Sequence, residues 1–237
     1  MLTLPFWVLG AAVDMEIAPG LPLSGLAVLC PAAAAGILSV RAGPGNLQRW
    51  LADSISLRKT DWRWLIAALI NPLLFGLAFV LARQSGADIP DPVFGARKIM
   101  LLFAMFLPAA WLEEAGWSAY ATPRLQARFG MIPASLLLGL FWAVWHYPAL
   151  IQADRSAIWI AWWSLWTVSA RVIMVWLYNW CGRSALVAVL YHALSNLCWQ
   201  LYPVDGSWFD PKISGLLTLA LALCLVFSRA GRNSKMR

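Results

Sequence analysis

The sequence predicts an all-α protein: a polytopic transmembrane bundle of about eight helices, one domain over residues 1–237. Three observations carry that reading. Hydrophobic residues make up 61% of the 237 and charged residues only 12%, with a mean hydropathy of +0.68; a soluble domain carries about 25% charged residues. Apolar runs close to the length that crosses a bilayer, about 20 residues, recur along the chain. The eleven acidic residues also avoid those runs, with two exceptions. Glu113 and Glu114 sit side by side at the end of an apolar stretch, where an ionisable group costs a few kcal/mol or more and needs a partner.

In chain order, Leu2–Val13 is the shortest expected span, followed by a break at Asp14-Met15-Glu16 and Pro19-Gly20. Leu21–Val40 spans next, then a basic loop, then Trp62–Ala82 and an acidic turn at Asp88–Pro92. Lys98–Ala121 carries Glu113 and Glu114 and is expected to end near Pro123-Arg124. Gly130 starts the span holding His146, and Ala157–Cys181 holds Arg171. Ala185–Tyr202 holds His192, and Ile213–Phe227 closes the bundle. No basic stretch opens the chain at Met1–Pro5, so a cleaved signal peptide is not expected.

Eight crossings sort the connections onto two sides. One collects Arg41, Arg49, Arg58, Lys59, Arg63, Arg124, Arg128, Arg183, Arg229, Arg232, Lys235 and Arg237; the other only Arg83, Arg97, Lys98, Arg155 and Lys212. The positive-inside rule then places both termini in the cytoplasm. The net charge of +7 is thereby accounted for as topology, and a nucleic-acid partner is set aside. Cys30, Cys181, Cys198 and Cys224 have no C-x-x-C spacing and read as reduced packing residues.

Polar chemistry at membrane depth comes from three places: Glu113-Glu114 with Ser118, Trp142 with His146, and His192 with Ser195-Asn196. His192 and Asn196, and likewise Trp142 and His146, are four apart and share a helix face. With a rise of about 1.5 Å per residue, Glu113 and His192 lie roughly 16 and 13 Å from the basic side, and His146 roughly 24 Å. Those levels suit one intramembrane pocket. A carboxylate there can act as general base on a water. Two imidazoles can hold the water, a metal or an oxyanion, and the Asn196 amide is an oxyanion donor. Glu113, His146 and His192 also form a zinc-type donor set, although the ligands would come from three separate helices. Arg171, in an apolar run, needs a carboxylate partner, for which Glu114 is the choice.

These residues resemble the motifs of the CPBP family of intramembrane proteases, which includes CAAX prenyl endopeptidases and bacteriocin-processing enzymes (the Abi family). Glu113-Glu114-Ala115-Gly116-Trp117-Ser118 resembles E-E-x-x-x-R, Trp142-Ala143-Val144-Trp145-His146 resembles F-x-x-x-H, and His192-Ala193-Leu194-Ser195-Asn196 resembles H-x-x-x-N. The resemblance covers about residues 100–200. It implies an eight-helix bundle in which Glu113 activates water, His146 and His192 assist, Asn196 supports the oxyanion and Glu114 is supportive. It also implies a membrane-associated peptide or protein substrate, and an integral protein of a bacterial inner membrane; a zinc cofactor stays open. Two positions depart from the motifs. Ser118 stands in place of Arg, and Trp142 stands in place of Phe while keeping an apolar wall. Arg171 is expected to supply the missing charge. Two other classes compete: a non-catalytic scaffold or immunity protein on the same fold, which Ser118 favours, and a proton-coupled transporter, against which the chain shows no internal repeat.

Overall fold

The computed structural model describes residues 2–13, 15–18, 21–57, 61–92, 94–202 and 209–228. Arg58, Lys59, the basic residues beyond Ser228, Asp14 and Asp205 lie outside them. Among the described residues the chain is a helical bundle, interrupted only by a two-stranded ribbon pairing Glu16–Ala18 with Leu21–Pro22. The helices are α1 (Leu4–Ala12), a 3-10 turn (Leu23–Leu29) running into α2 (Cys30–Arg41), α3 (Asn46–Ser54), α4 (Trp62–Gln84) and α5 (Ala96–Glu114). A π-helical segment (Ala115–Ala121) joins α5 to α6 (Thr122–Phe129); then come α7 (Met131–Gln152), α8 (Ala157–Trp180), α9 (Ala185–Leu201) and α10 (Pro211–Phe227).

Among the described residues, five helical stretches are long and apolar enough to cross a membrane: Leu23–Arg41, Trp62–Gln84, Ala96–Phe129, Met131–Gln152 and Ala157–Trp180. α9 and α10 are apolar and shorter. The exposed sides of these helices carry leucine, isoleucine, valine and methionine (Leu69, Leu73, Met100, Leu140, Val144 among them), as surfaces facing lipid tails must. The protein is an integral membrane protein. Leu2–Val13 yields only the nine residues of α1. They rise about 14 Å, less than half the hydrocarbon thickness. α1 packs instead against the 3-10 turn and the far end of α7, where the Gln152 amide donates to the Trp7 carbonyl at 3.0 Å.

Two further differences from the sequence reading concern the elements around the acidic pair. The helix does not end near Pro123 but runs on to Phe129. Pro123 falls just past the π-helical segment, at the start of α6, and the helix passes through it. The basic loop after α2 also contains a helix, α3, with Trp50 and Ser54 buried and Arg49 exposed. Its start is set by Gly45 at φ +77°, a backbone conformation glycine adopts without penalty.

α8 is the buried centre, packed between α7 and α10, while α9 packs against α5 and α4. Side-chain ties draw the Arg-rich connections to one end of the bundle. Arg63 donates to the Trp180 carbonyl at 3.0 Å, and Ser184 to the Ser56 carbonyl at 2.8 Å. All four cysteines are unpaired, three of them buried. Backbones meet most closely at Gly116, where an added Cβ would lie 2.6 Å from the Pro31 backbone of α2. Gly139 of α7 allows a similar approach, with a Cβ there meeting Val168 and Arg171 of α8 at 3.1 and 3.2 Å.

Candidate active site

Adjacent residues on a helix point about 100° apart, so Glu113 and Glu114 face different neighbours. Both are buried, Glu114 completely. Glu114 turns towards α8 and α9. Its Oε2 accepts from Arg171 Nη1 at 2.7 Å and from the Ser118 hydroxyl at 2.5 Å. Its Oε1 accepts from Arg171 Nη2 at 3.0 Å and from His192 Nδ1 at 3.1 Å. A carboxylate offers about four lone-pair sites, and four donors occupy them. Glu114 therefore has no capacity left to take a proton from a substrate or a water.

Glu113 is in the opposite condition. Its one hydrogen bond among the described residues comes from the Trp142 indole N–H of α7, 2.8 Å from Oε2, and Oε1 stays open. Trp142 is the hub of the site. Its ring centroid lies 5.5 Å from that of His146 and 5.1 Å from that of His192, both edge-on, and the Arg171 guanidinium carbon sits 4.1 Å from it. The expected apolar wall is present, but the sequence reading missed the wall's polar edge.

The hydrogen bonds also set the two imidazoles. His146 Nδ1 lies 2.8 Å from the Trp142 carbonyl, which can only accept, so Nδ1 carries the proton. His192 Nδ1 likewise donates to Glu114. In both rings Nε2 is left to face a ligand. His146 is half-buried, with the Trp145 and Trp163 rings 4.7 and 5.2 Å away. Asn196, one turn beyond His192 on α9, is half-buried and has no hydrogen-bond partner among the described residues. The structure thus gathers Glu113, Glu114, Ser118, Trp142, Arg171 and His192 into one hydrogen-bonded and stacked group. His146 joins it through Trp142, and Asn196 stands beside it.

The Ser118 departure has its structural answer here. Arg171 reaches Glu114 from another helix with both terminal nitrogens, and Ser118, which carries no charge, adds a hydroxyl on Oε2. Among the described residues no three His, Cys, Asp or Glu side chains form a metal-holding group. Sequence reading also missed Asn71 of α4, whose amide donates to the Tyr191 carbonyl at 2.8 Å and braces α9 beside His192.

The fold and this group make a polytopic helical membrane protein that brings paired carboxylates and two histidines together inside its bundle. The family model of type II CAAX prenyl endopeptidases, Rce1-like, matches residues 95–198, the stretch that contains all of these residues. The chain is also 30% identical over 180 residues to CAAX prenyl protease 2 of Methanococcus maripaludis, an alignment covering 69% of this chain and 65% of that relative. The motif-bearing stretch is thus similar to the CAAX prenyl endopeptidases, and the chain spans about 65% of that relative's length.

One prediction follows directly from the hub. Trp142→Phe keeps the ring and removes the N–H, as in the family motif. A hydrogen bond to a charged group is worth about 1.5–3 kcal/mol, so activity should fall by about tenfold or more with folding retained. Unchanged kcat/KM in Trp142→Phe would show that this hydrogen bond does not matter.

Proposed function

We propose that the chain is an intramembrane endopeptidase in which Glu113 activates a water to hydrolyse a peptide bond of a membrane-associated substrate. The observation that carries this is the unequal state of the two carboxylates: Glu114 is saturated by four donors, whereas Glu113 holds an open oxygen. In this reading Glu113 Oε1 takes a proton from the attacking water. The Trp142 N–H keeps the other oxygen turned away. The oxygen of the scissile carbonyl gains charge as the water adds, and the Asn196 amide donates to it, while the Nε2 lone pair of His146 or His192 accepts the second hydrogen of the water and holds it in place. Glu113, now protonated, returns the proton to the leaving amine as the tetrahedral intermediate collapses.

Glu114, Arg171 and Ser118 hold His192 in the correct tautomer and orientation. Arg171 also meets the charge requirement that Ser118 leaves, which removes the main support for a scaffold without activity. The name of the relative, CAAX prenyl protease 2, favours a lipidated C-terminal peptide held at the bilayer surface as substrate. In this reading the protein sits in a bacterial inner membrane with its Arg-rich end cytoplasmic.

The test is cleavage of a panel of membrane-tethered peptides, prenylated and unprenylated, by the full chain in detergent or nanodiscs. His146→Ala and His192→Ala should each lose most activity, Glu113→Gln serves as the inactive reference, and a chelator series reports whether a metal takes part. Cleavage at equal rates by wild type and Glu113→Gln would defeat the reading.

A further inference from the structure

The residue just after the acidic pair is held by a side chain from outside the motif-bearing stretch. Trp50 of α3 donates its indole N–H to the Ala115 carbonyl at 2.8 Å, across 65 residues of chain. Tryptophans near a membrane surface ordinarily anchor by turning a polar edge towards the headgroups. Trp50 does the reverse. It is 9% exposed, packed among Ala32, Ala35, Ala115 and Ala119, with its ring edge facing Gly36 of α2, and its N–H points into the protein.

The carbonyl it holds is the first of the π-helical segment. π turns are rare and are found mostly as single insertions at functional sites, because they give up regular hydrogen-bond geometry to re-aim side chains. Here the widened turn starts directly after Glu113-Glu114, directed at α7 to α9, and includes Trp117, whose ring meets Phe141 and Trp145 of α7 at centroid distances of 5.7 and 6.0 Å. The segment is fastened at both ends. Trp50 takes its first carbonyl, and the Thr122 hydroxyl donates to the Trp117 carbonyl at 2.8 Å. Between them Gly116 sits flush on the Pro31 backbone, with no space for a Cβ. A backbone with three such restraints cannot slide or unwind without losing them.

We propose that Trp50 is a positioning residue for the acidic pair: by clamping the Ala115 carbonyl it keeps the π turn formed and thereby fixes the direction of Glu113. This rests on Glu113 as the base. The coupling is through the backbone only, since Trp50 touches neither carboxylate. A misplacement of about 1 Å in a catalytic group can cost about a hundredfold in rate, so loss of one clamp among three is expected to lower kcat by about tenfold and to leave KM alone.

The experiment compares full-length wild type, Trp50→Phe, the control Trp62→Phe at an exposed tryptophan, and Glu113→Gln. It measures kcat and KM on a cleaved peptide, thermal melting, and hydrogen exchange of the peptide covering residues 111–121. The expected result for Trp50→Phe is a kcat about tenfold lower and KM within about twofold. Melting should stay within about 4 °C of wild type, with faster exchange confined to residues 111–121. A general packing role would instead lower melting and raise exchange across α2 and α3. Exchange unchanged over residues 111–121 would overturn the clamp whatever the activity, and so would raised exchange with unaltered kcat. If wild type and Glu113→Gln cleave alike, the assignment of Glu113 fails on its own, and the exchange pattern still decides whether Trp50 holds the turn.

Discussion

Glu113→Gln is expected to abolish measurable cleavage while leaving the fold intact. The substitution is close to isosteric. The glutamine carbonyl oxygen can still accept the Trp142 N–H that Oε2 accepts at 2.8 Å, so the side chain keeps its place. What disappears is the basic oxygen. A positioned general base contributes about 10²–10⁴ in rate, and a fall of that size in kcat with melting unchanged is the expected measurement. Glu114→Gln provides the contrast. It removes a fully buried carboxylate that faces Arg171 and His192, so it should lose stability as well as activity. If Glu114→Gln alone were inactive and Glu113→Gln fully active, the two roles would be reversed.

Arg171→Ala is expected to give the largest loss of stability. Arg171 and Glu114 are both completely buried and joined by two hydrogen bonds. Deleting one partner of such a pair leaves an uncompensated charge and costs about 3–5 kcal/mol. That is a large part of the about 5–15 kcal/mol by which folded proteins are stable. Much of the protein should fail to reach a folded, detergent-stable state. Arg171→Met combined with Glu114→Gln should recover part of the melting temperature, because no charge is stranded, without recovering cleavage. Arg171→Ala melting like wild type would show that the pair contributes nothing.

The parts of the site legible in sequence were those where a charge stood out against hydrocarbon. Glu113, Glu114, Arg171 and His192 each interrupt an apolar run, and the pairing of Arg171 with Glu114 follows from the need of each for a counter-charge. Direction was less legible. That Glu113 faces Trp142 depends on which way a ring is turned, and a tryptophan in an apolar helix reads first as volume. The π turn was hidden because seven apolar and small residues fit 3.6 and wider turns equally well, and Pro123 pointed to a helix end that is not there. Trp50 was hidden for another reason: it lies in a charged, low-hydropathy stretch whose helix is short and whose contact spans 65 residues. The long runs were clear as crossings, whereas Leu2–Val13, high in hydropathy but short, yields only the nine-residue α1.

The buried Arg171–Glu114 pair has a consequence for how the chain enters the bilayer. An arginine at the centre of a lone helix opposes insertion by about 2.5–3.5 kcal/mol, and α8 carries one with none of its own acids to answer it. Glu114 is made 57 residues earlier, on a helix that has left the ribosome before α8 emerges. The two segments are thus suited to partition as a neutral couple, α5 waiting at the translocon until α8 arrives, with α7 threaded between them. Assembly of the centre and membrane integration would then be one event rather than two.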